Sequence, residues 1–197
     1  MVAIATSAGA SSASSVAVPL EKFDWAEVWY PVHFVQDLDK TRPTRFILLE
    51  QPLVIWWQPV TKQWVVLEDR CSHRLAALSE GRVTKDGCLE CPYHGWAFND
   101  TGECDRIPFA PENSTAHQSK RAAIRHYPSR VAQGLLFIYA GKAENADTKP
   151  VPTLPPLDQN ADEWVVTDTF RDMPYDITTL LENVLDTSHV AVVGEGD

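Results

Sequence analysis

Two short runs in this sequence carry residue types that bind metal: RCSH, with Cys71 and His73, and CPYHGW, with Cys91 and His94. They read C-x-H, then seventeen residues, then C-x-x-H. Thiolate and imidazole together suit either a zinc ion or an iron–sulfur centre. Zinc would gather all four side chains around one tetrahedral ion. A mixed-ligand 2Fe–2S cluster would instead place two thiolates on one iron and two imidazoles on the other. Spacing alone leaves both open.

The context of the two runs separates them. Zinc fingers pair Cys with Cys and His with His, whereas each run here supplies one Cys and then one His, in a loop after a predicted strand. Each loop can then reach both irons of a split cluster. Pro92 restricts the backbone of the second loop, and Gly95 permits close approach. Backbone N–H groups aimed at inorganic sulfide would tune such a centre. Cys88 and Cys104 fall outside the pattern and read as small buried hydrophobes, because Cys91, the C-x-x-C partner of Cys88, is already committed. His33, His117 and His126 match no ligand spacing and read as surface or internally satisfied histidines. Four cysteines in 197 residues are too sparse for a disulfide scaffold.

The elements that must position these loops read as short strands. WYPVHFV (29–35), RFILL (45–49), LVIWW (53–57) and QWVVLE (63–68) are rich in β-branched and aromatic residues. Pro, Asp and polar turn residues separate them. VTKDGCLEC predicts a hairpin around Asp86 and Gly87 that leads into the second Cys-His loop. AFNDTGEC turns again between Asn99 and Gly102, and IRHYPSRV and LLFIYA (135–140) predict two further strands. The first domain is therefore expected to be mainly β and antiparallel, over residues 21–140.

Residues 141–160, with four prolines, predict a linker or an extended surface crossing. EWVVTDTFR (163–171) then predicts a strand. DITTLLENVLDTSHV (176–190) predicts a helix with Asp176 as N-cap and Ile177, Leu180, Leu181, Val184 and Leu185 at helical spacing. Residues 161–197 thus read as the start, a strand plus a helix, of an α+β domain. Residues 1–20, Ser- and Ala-rich with no charge before Glu21, read as a disordered or targeting segment; they resemble a plastid transit peptide but lack its usual arginines.

A net charge of −10 argues against nucleic acid as a partner. No run reaches the roughly 20 apolar residues of a spanning helix. With 44% hydrophobic residues, the chain has material for a real core.

RCSHRLAALSEGR followed by CPYHGWAFNDTGEC resembles the Rieske family, which implies a 2Fe–2S cluster held by Cys71, His73, Cys91 and His94. The respiratory class of that family carries an extra cysteine in each loop. Here Tyr93 takes the second of those positions, LAAL has none, and Trp96 stands where that class has serine. The resemblance is thus to oxygenase-type clusters, with fewer hydrogen bonds to sulfur. A potential toward the low end of about −150 to +300 mV is expected, suited to ferredoxin as electron donor.

The resemblance can be narrowed. WYPVHFVQDLDKTRPTRFILLEQPLVIWW, LSEGR, YPSRVAQGLLFIYA and ENVLDTSH resemble the pheophorbide a oxygenase group of Rieske non-haem iron oxygenases, over roughly residues 22–190. That group includes a plastid translocon-associated Rieske protein and, more distantly, chlorophyllide a oxygenase. The resemblance implies a chloroplast location, a tetrapyrrole substrate with O2, a homotrimer, and membrane attachment only through a C-terminal region not seen in this sequence. Such oxygenases open their catalytic domain with N-x-x-D-x-x-H-x-x-x-x-H. Carried over, Asn183 matches the first position, Asp186 an electron bridge between subunits, and His189 the first ligand of a mononuclear non-haem Fe(II). The second histidine would stand at 194, where the sequence has Gly194. The expectation is a fragment or truncated form of an oxygenase; the alternative is a stand-alone Rieske electron-transfer protein.

Overall fold

The computed structural model describes residues 22–159, 164–167, 169, 171 and 173–186. It divides into two compact units between Leu154 and Pro155. Among the described residues the first unit is built from eleven strands in three antiparallel sheets.

The middle sheet explains the two most apolar runs. β2 (Thr44–Leu48), β3 (Gln51–Gln58), β4 (Gln63–Glu68) and β9 (His126–Tyr127) pair in that order. Alternate residues of a strand face opposite ways. Val54, Trp56, Val65 and Leu67 enter one core, while Leu53, Ile55, Trp64 and Val66 enter another. Both faces of β3 and β4 are covered, which is why LVIWW and WVVL read as unbroken apolar runs instead of alternating ones.

On one side lies the sheet β1 (Trp29–Phe34), β11 (Leu135–Tyr139) and β10 (Ser129–Ala132). Its Val32, Leu136 and Ile138 pack on Leu53, Ile55, Trp64 and Val66. On the other side, β5 (Arg82–Val83), β6 (Leu89–Glu90), β7 (Ala97–Phe98) and β8 (Cys104–Arg106) form a small sheet. Leu89, Phe98, Cys104 and both metal-type cysteines pack there on Val54, Trp56, Val65 and Leu67. The Cys-His loops are thus mounted on a three-layer β structure. The indole of Trp56 donates to Gly87 O at 3.4 Å, tying β3 to the β5–β6 turn.

The expected turns form. Gly87 and Gly102 both adopt left-handed φ, +85° and +84°. A Cβ at Gly102 would meet Ile124 O at 2.3 Å, so that position tolerates no side chain. Asn99 shapes the same turn, its Oδ1 accepting from Thr101 N and Glu103 N at 3.0 Å each.

Two expectations need correction. In the stretch 141–160, a 3-10 helix at Ala143–Thr148 buries Ala146 against Trp29, Phe137 and Tyr139, and Leu154 exchanges hydrogen bonds with the Gln133 amide. That part is a cover for the β1–β11 sheet; a short helix α1 (Pro155–Gln159) follows it. Residues 164–167 form no strand, and Val165 is 96% exposed: β-prone residues gain from a sheet only where a partner strand covers them. The predicted helix is present as α2 (Ile177–Leu185), with the Asp176 carboxylate accepting from Thr179 N at 2.9 Å and Asp186 as its C-cap; the rest of the predicted span, 187–190, lies outside the described residues. Residues 1–21 and 187–197, including His189 and Gly194, lie outside the described residues.

Candidate metal centre

The first loop leaves the end of β4 and the second leaves β6, so both start from buried strands of neighbouring layers. Their backbones repeat one pattern. Cys71 N donates to Ala76 O at 2.9 Å and Leu75 N to Cys71 O at 2.8 Å. Cys91 N donates to Trp96 O at 2.8 Å and Gly95 N to Cys91 O at 3.1 Å. Each loop turns at its fifth residue through a left-handed φ, +58° at Leu75 and +69° at Gly95. Glycine takes that conformation at little cost; leucine does not, so the first loop holds a strained residue.

This repeated turn carries each cysteine inward and each histidine outward. Cys71 is 1% exposed and Cys91 2% exposed, while His73 and His94 are both exposed. The two imidazole centroids stand 4.7 Å apart. All four cysteines are free thiols. Burial, first, and the neighbouring Cys91 push the Cys71 thiol up to about 11, against hydrogen bonds from the His73 and Arg74 backbone. A bare thiolate is costly there, and a cation that binds sulfur relieves that cost. Two sulfur donors inside and two nitrogen donors at the rim fit a group with a sulfur side and a nitrogen side. Cys88 and Cys104 are buried in the small sheet, as the sequence suggested.

Several positioning residues had no motif to announce them. Asp69, buried two residues before Cys71, accepts from Ser79 N and Ser79 Oγ, both at 2.7 Å, and closes the first loop at its base. Ser72 Oγ donates to Ala122 O at 2.7 Å. Glu90, just ahead of Cys91, accepts from Arg106 at 2.7 Å and also pairs with Arg82. The only sequence hint was the placing of an acid near the start of each loop. Trp96 closes the second loop through its carbonyl and lies parallel to the His73 ring of the first. A cleft of about 800 Å3 opens beside His73 and His94, walled by Pro92, Tyr93, Trp96 and Phe109.

In the second unit, Asn183 lies on α2 and Asp186 caps its C-terminus, its N–H donating to Glu182 O at 2.9 Å. His189 itself lies outside the described residues.

Comparison with known proteins places this geometry. The family model for the Rieske [2Fe-2S] domain matches residues 28–128. Pheophorbide a oxygenase of Oryza sativa subsp. japonica is 48% identical over 177 residues, covering 86% of this chain and 33% of the relative. Flavonoid 8-hydroxylase 2 of Ocimum basilicum is 40% identical over 176 residues, covering 86% of this chain and 34% of the relative. The crystal structure of dicamba monooxygenase bound to 3,6-dichlorosalicylic acid superposes with a TM-score of 0.61 at 28% identity, over 69% of this chain and 38% of that one. The chain spans about a third of the length of the curated relatives it matches.

Proposed function

Since this chain belongs to the Rieske [2Fe-2S] domain family, we propose that Cys71, His73, Cys91 and His94 hold its 2Fe–2S cluster and that the chain is the electron-receiving part of an oxygenase. The observation that carries this reading is the pair of matched loops, with both thiols buried and both imidazoles exposed. The bound cluster would supply reversible one-electron transfer. Cys71 and Cys91 would anchor it from the apolar core, which keeps water from the sulfur side. His73 and His94 would present the edge that a redox partner meets first.

The reaction is ferredoxin-dependent monooxygenation of a chlorophyll-related tetrapyrrole with O2. The 48% identity to a pheophorbide a oxygenase supports that substrate class. In this reading residues 21–140 are the cluster domain, 141–160 lead onward from it after packing in their first part on the β1–β11 sheet, and 161–197 open a catalytic domain. Asn183 and Asp186 belong to its entrance, Asp186 as the electron bridge and His189 as one ligand of a mononuclear non-haem Fe(II). The chloroplastic relatives support a chloroplast location. A homotrimer follows from the resemblance, as does membrane association through a C-terminal region; no described helix is long and apolar enough to cross a membrane.

The test is anaerobic purification with spectroscopy, then turnover. A red-brown protein with a reducible 2Fe–2S signal is expected, and a colourless zinc protein would overturn the ligand assignment. With reduced ferredoxin and pheophorbide a, O2 uptake matched by product is expected from any longer form of the protein. Reversible cluster reduction with no product in that form would leave a stand-alone electron carrier.

A further inference from the structure

At the far end of β4 from the Cys-His loops, a second cleft of about 460 Å3 lies between the middle sheet and the β1–β11–β10 sheet. Trp64 stands near the start of β4, which runs on to Glu68, three residues short of Cys71. Nothing in the proposed electron-transfer role uses it.

Three observations single the cleft out. First, its wall is aromatic and rigid: the Trp57 and Trp64 rings meet edge to face with centroids 5.2 Å apart, and Trp64 is only 5% exposed. Second, the Nε1–H of Trp64 is a buried donor with no acceptor among the described residues. Buried indole N–H groups ordinarily find a partner, so this one leaves an unmet polar atom in a residue that lines the cleft. Third, the opening is basic in a protein of net charge −10. Lys40, Lys62 and Arg130 line it, and Lys40 Nζ sits 4.1 Å over the Trp57 ring. Arg130 pairs with Asp147, but neither lysine is in an ion pair among the described residues. Lys62 sits in the β3–β4 turn at a left-handed φ of +54°.

We propose that this cleft is a second ligand site, which takes a small aromatic anion. The flat apolar body lies against Trp57 and Trp64. Its carboxylate, sulfonate or phosphate meets Lys40 and Lys62 at the opening. A volume of this size, an apolar wall and a few convergent polar groups are the usual make-up of a small-molecule site.

The cluster-loaded protein, labelled with 15N at tryptophan, tests this with naphthalene-2-sulfonate as probe and 2-naphthalenemethanol as its uncharged counterpart. The Trp64 indole resonance, assigned through its NOEs to the Trp57 ring, is the readout. The sulfonate is expected to move that resonance saturably at submillimolar concentration, and the alcohol to leave it in place. Lys40→Gln with Lys62→Gln should weaken binding about tenfold, the loss expected for two partly screened charge contacts, with the visible spectrum unchanged. The proposal is overturned if the resonance does not respond to the sulfonate, responds equally to the alcohol, or saturates as readily in the double variant. Loss of the cluster would touch the electron-transfer reading alone.

Discussion

The imidazole of His73 and the indole of Trp96 lie parallel, within 4° and with centroids 4.8 Å apart, although they belong to different loops. Trp96 also closes its own loop by accepting from Cys91 N at 2.8 Å. One residue therefore holds the second loop shut and steadies the His73 ring of the first. An aromatic stack contributes about 0.5–1.5 kcal/mol beyond the area it buries. Trp96→Ala is expected to lower iron and sulfide content and to alter the g-value spread of the reduced cluster, while Trp96→Phe retains both. Wild-type loading and g-values in the alanine variant would show that the stack positions nothing.

The four cysteines should divide cleanly. Cys91→Ser or His73→Ala removes a cluster ligand and is expected to abolish the visible absorption and circular dichroism bands. Cys88→Ala and Cys104→Ala delete only a small buried side chain, at about 1 kcal/mol for the lost volume, and should keep the colour. Bleaching by Cys88→Ala with Cys91→Ser still coloured would reverse the assignment.

Asp69 joins the core to the first loop. Its carboxylate accepts from Ser79 Oγ and Ser79 N, both at 2.7 Å, and Arg45 approaches at 3.8 Å from the solvent side. Hydrogen bonds to a charged group contribute about 1.5–3 kcal/mol each, and here two are lost together with their shared acceptor. Asp69→Ala should cost about 3 kcal/mol in urea unfolding and should release the cluster before the sheets unfold. Simultaneous loss of colour and of secondary structure, at the wild-type midpoint, would count against this role.

Which of these features could be read beforehand follows from how local their causes are. The limits of β4, the Asn99–Gly102 turn and the Asp176 cap all depend on residues within a few positions of one another, and each stands where the sequence put it. The Cys-His spacing of the two matched loops was legible for the same reason. Trp164, Val165 and Val166 look like a strand by composition, but a strand needs a partner that only the folded chain supplies. The pairing of β1 with β11 and the burial of Ala146 likewise join residues more than 90 positions apart or cover a face only after that pairing exists. Asp69, the unpartnered Trp64 N–H and the His73–Trp96 stack belong to this second kind.

The same long-range closure sets the response to pH. Glu27 Oε2 accepts from Tyr139 OH at 2.7 Å and Asn145 Nδ2 at 2.9 Å, and Oε1 accepts from Lys142 N at 3.2 Å. The Tyr139 hydroxyl, then Asn145 and the Lys142 N–H, hold the Glu27 carboxyl below its ordinary 4.5. Burial first, and the hydrogen bond to Glu27 second, push Tyr139 from 10.0 up to about 12. A depressed acid contributes stability that is present above its unfolded value and is lost as pH falls through the folded one, so the Glu27 share disappears below about pH 4.5. A raised phenol contributes stability that is complete below 10.0 and is lost as pH rises toward about 12. Urea unfolding across pH should therefore show an acid limb that Glu27→Gln flattens. Tyr139→Phe keeps the ring but removes the main donor, so Glu27 should titrate closer to 4.5 and the alkaline limb should disappear. Limbs unchanged in both variants would mean that these groups titrate alike in the folded and unfolded chain, and that the network contributes no pH dependence at all.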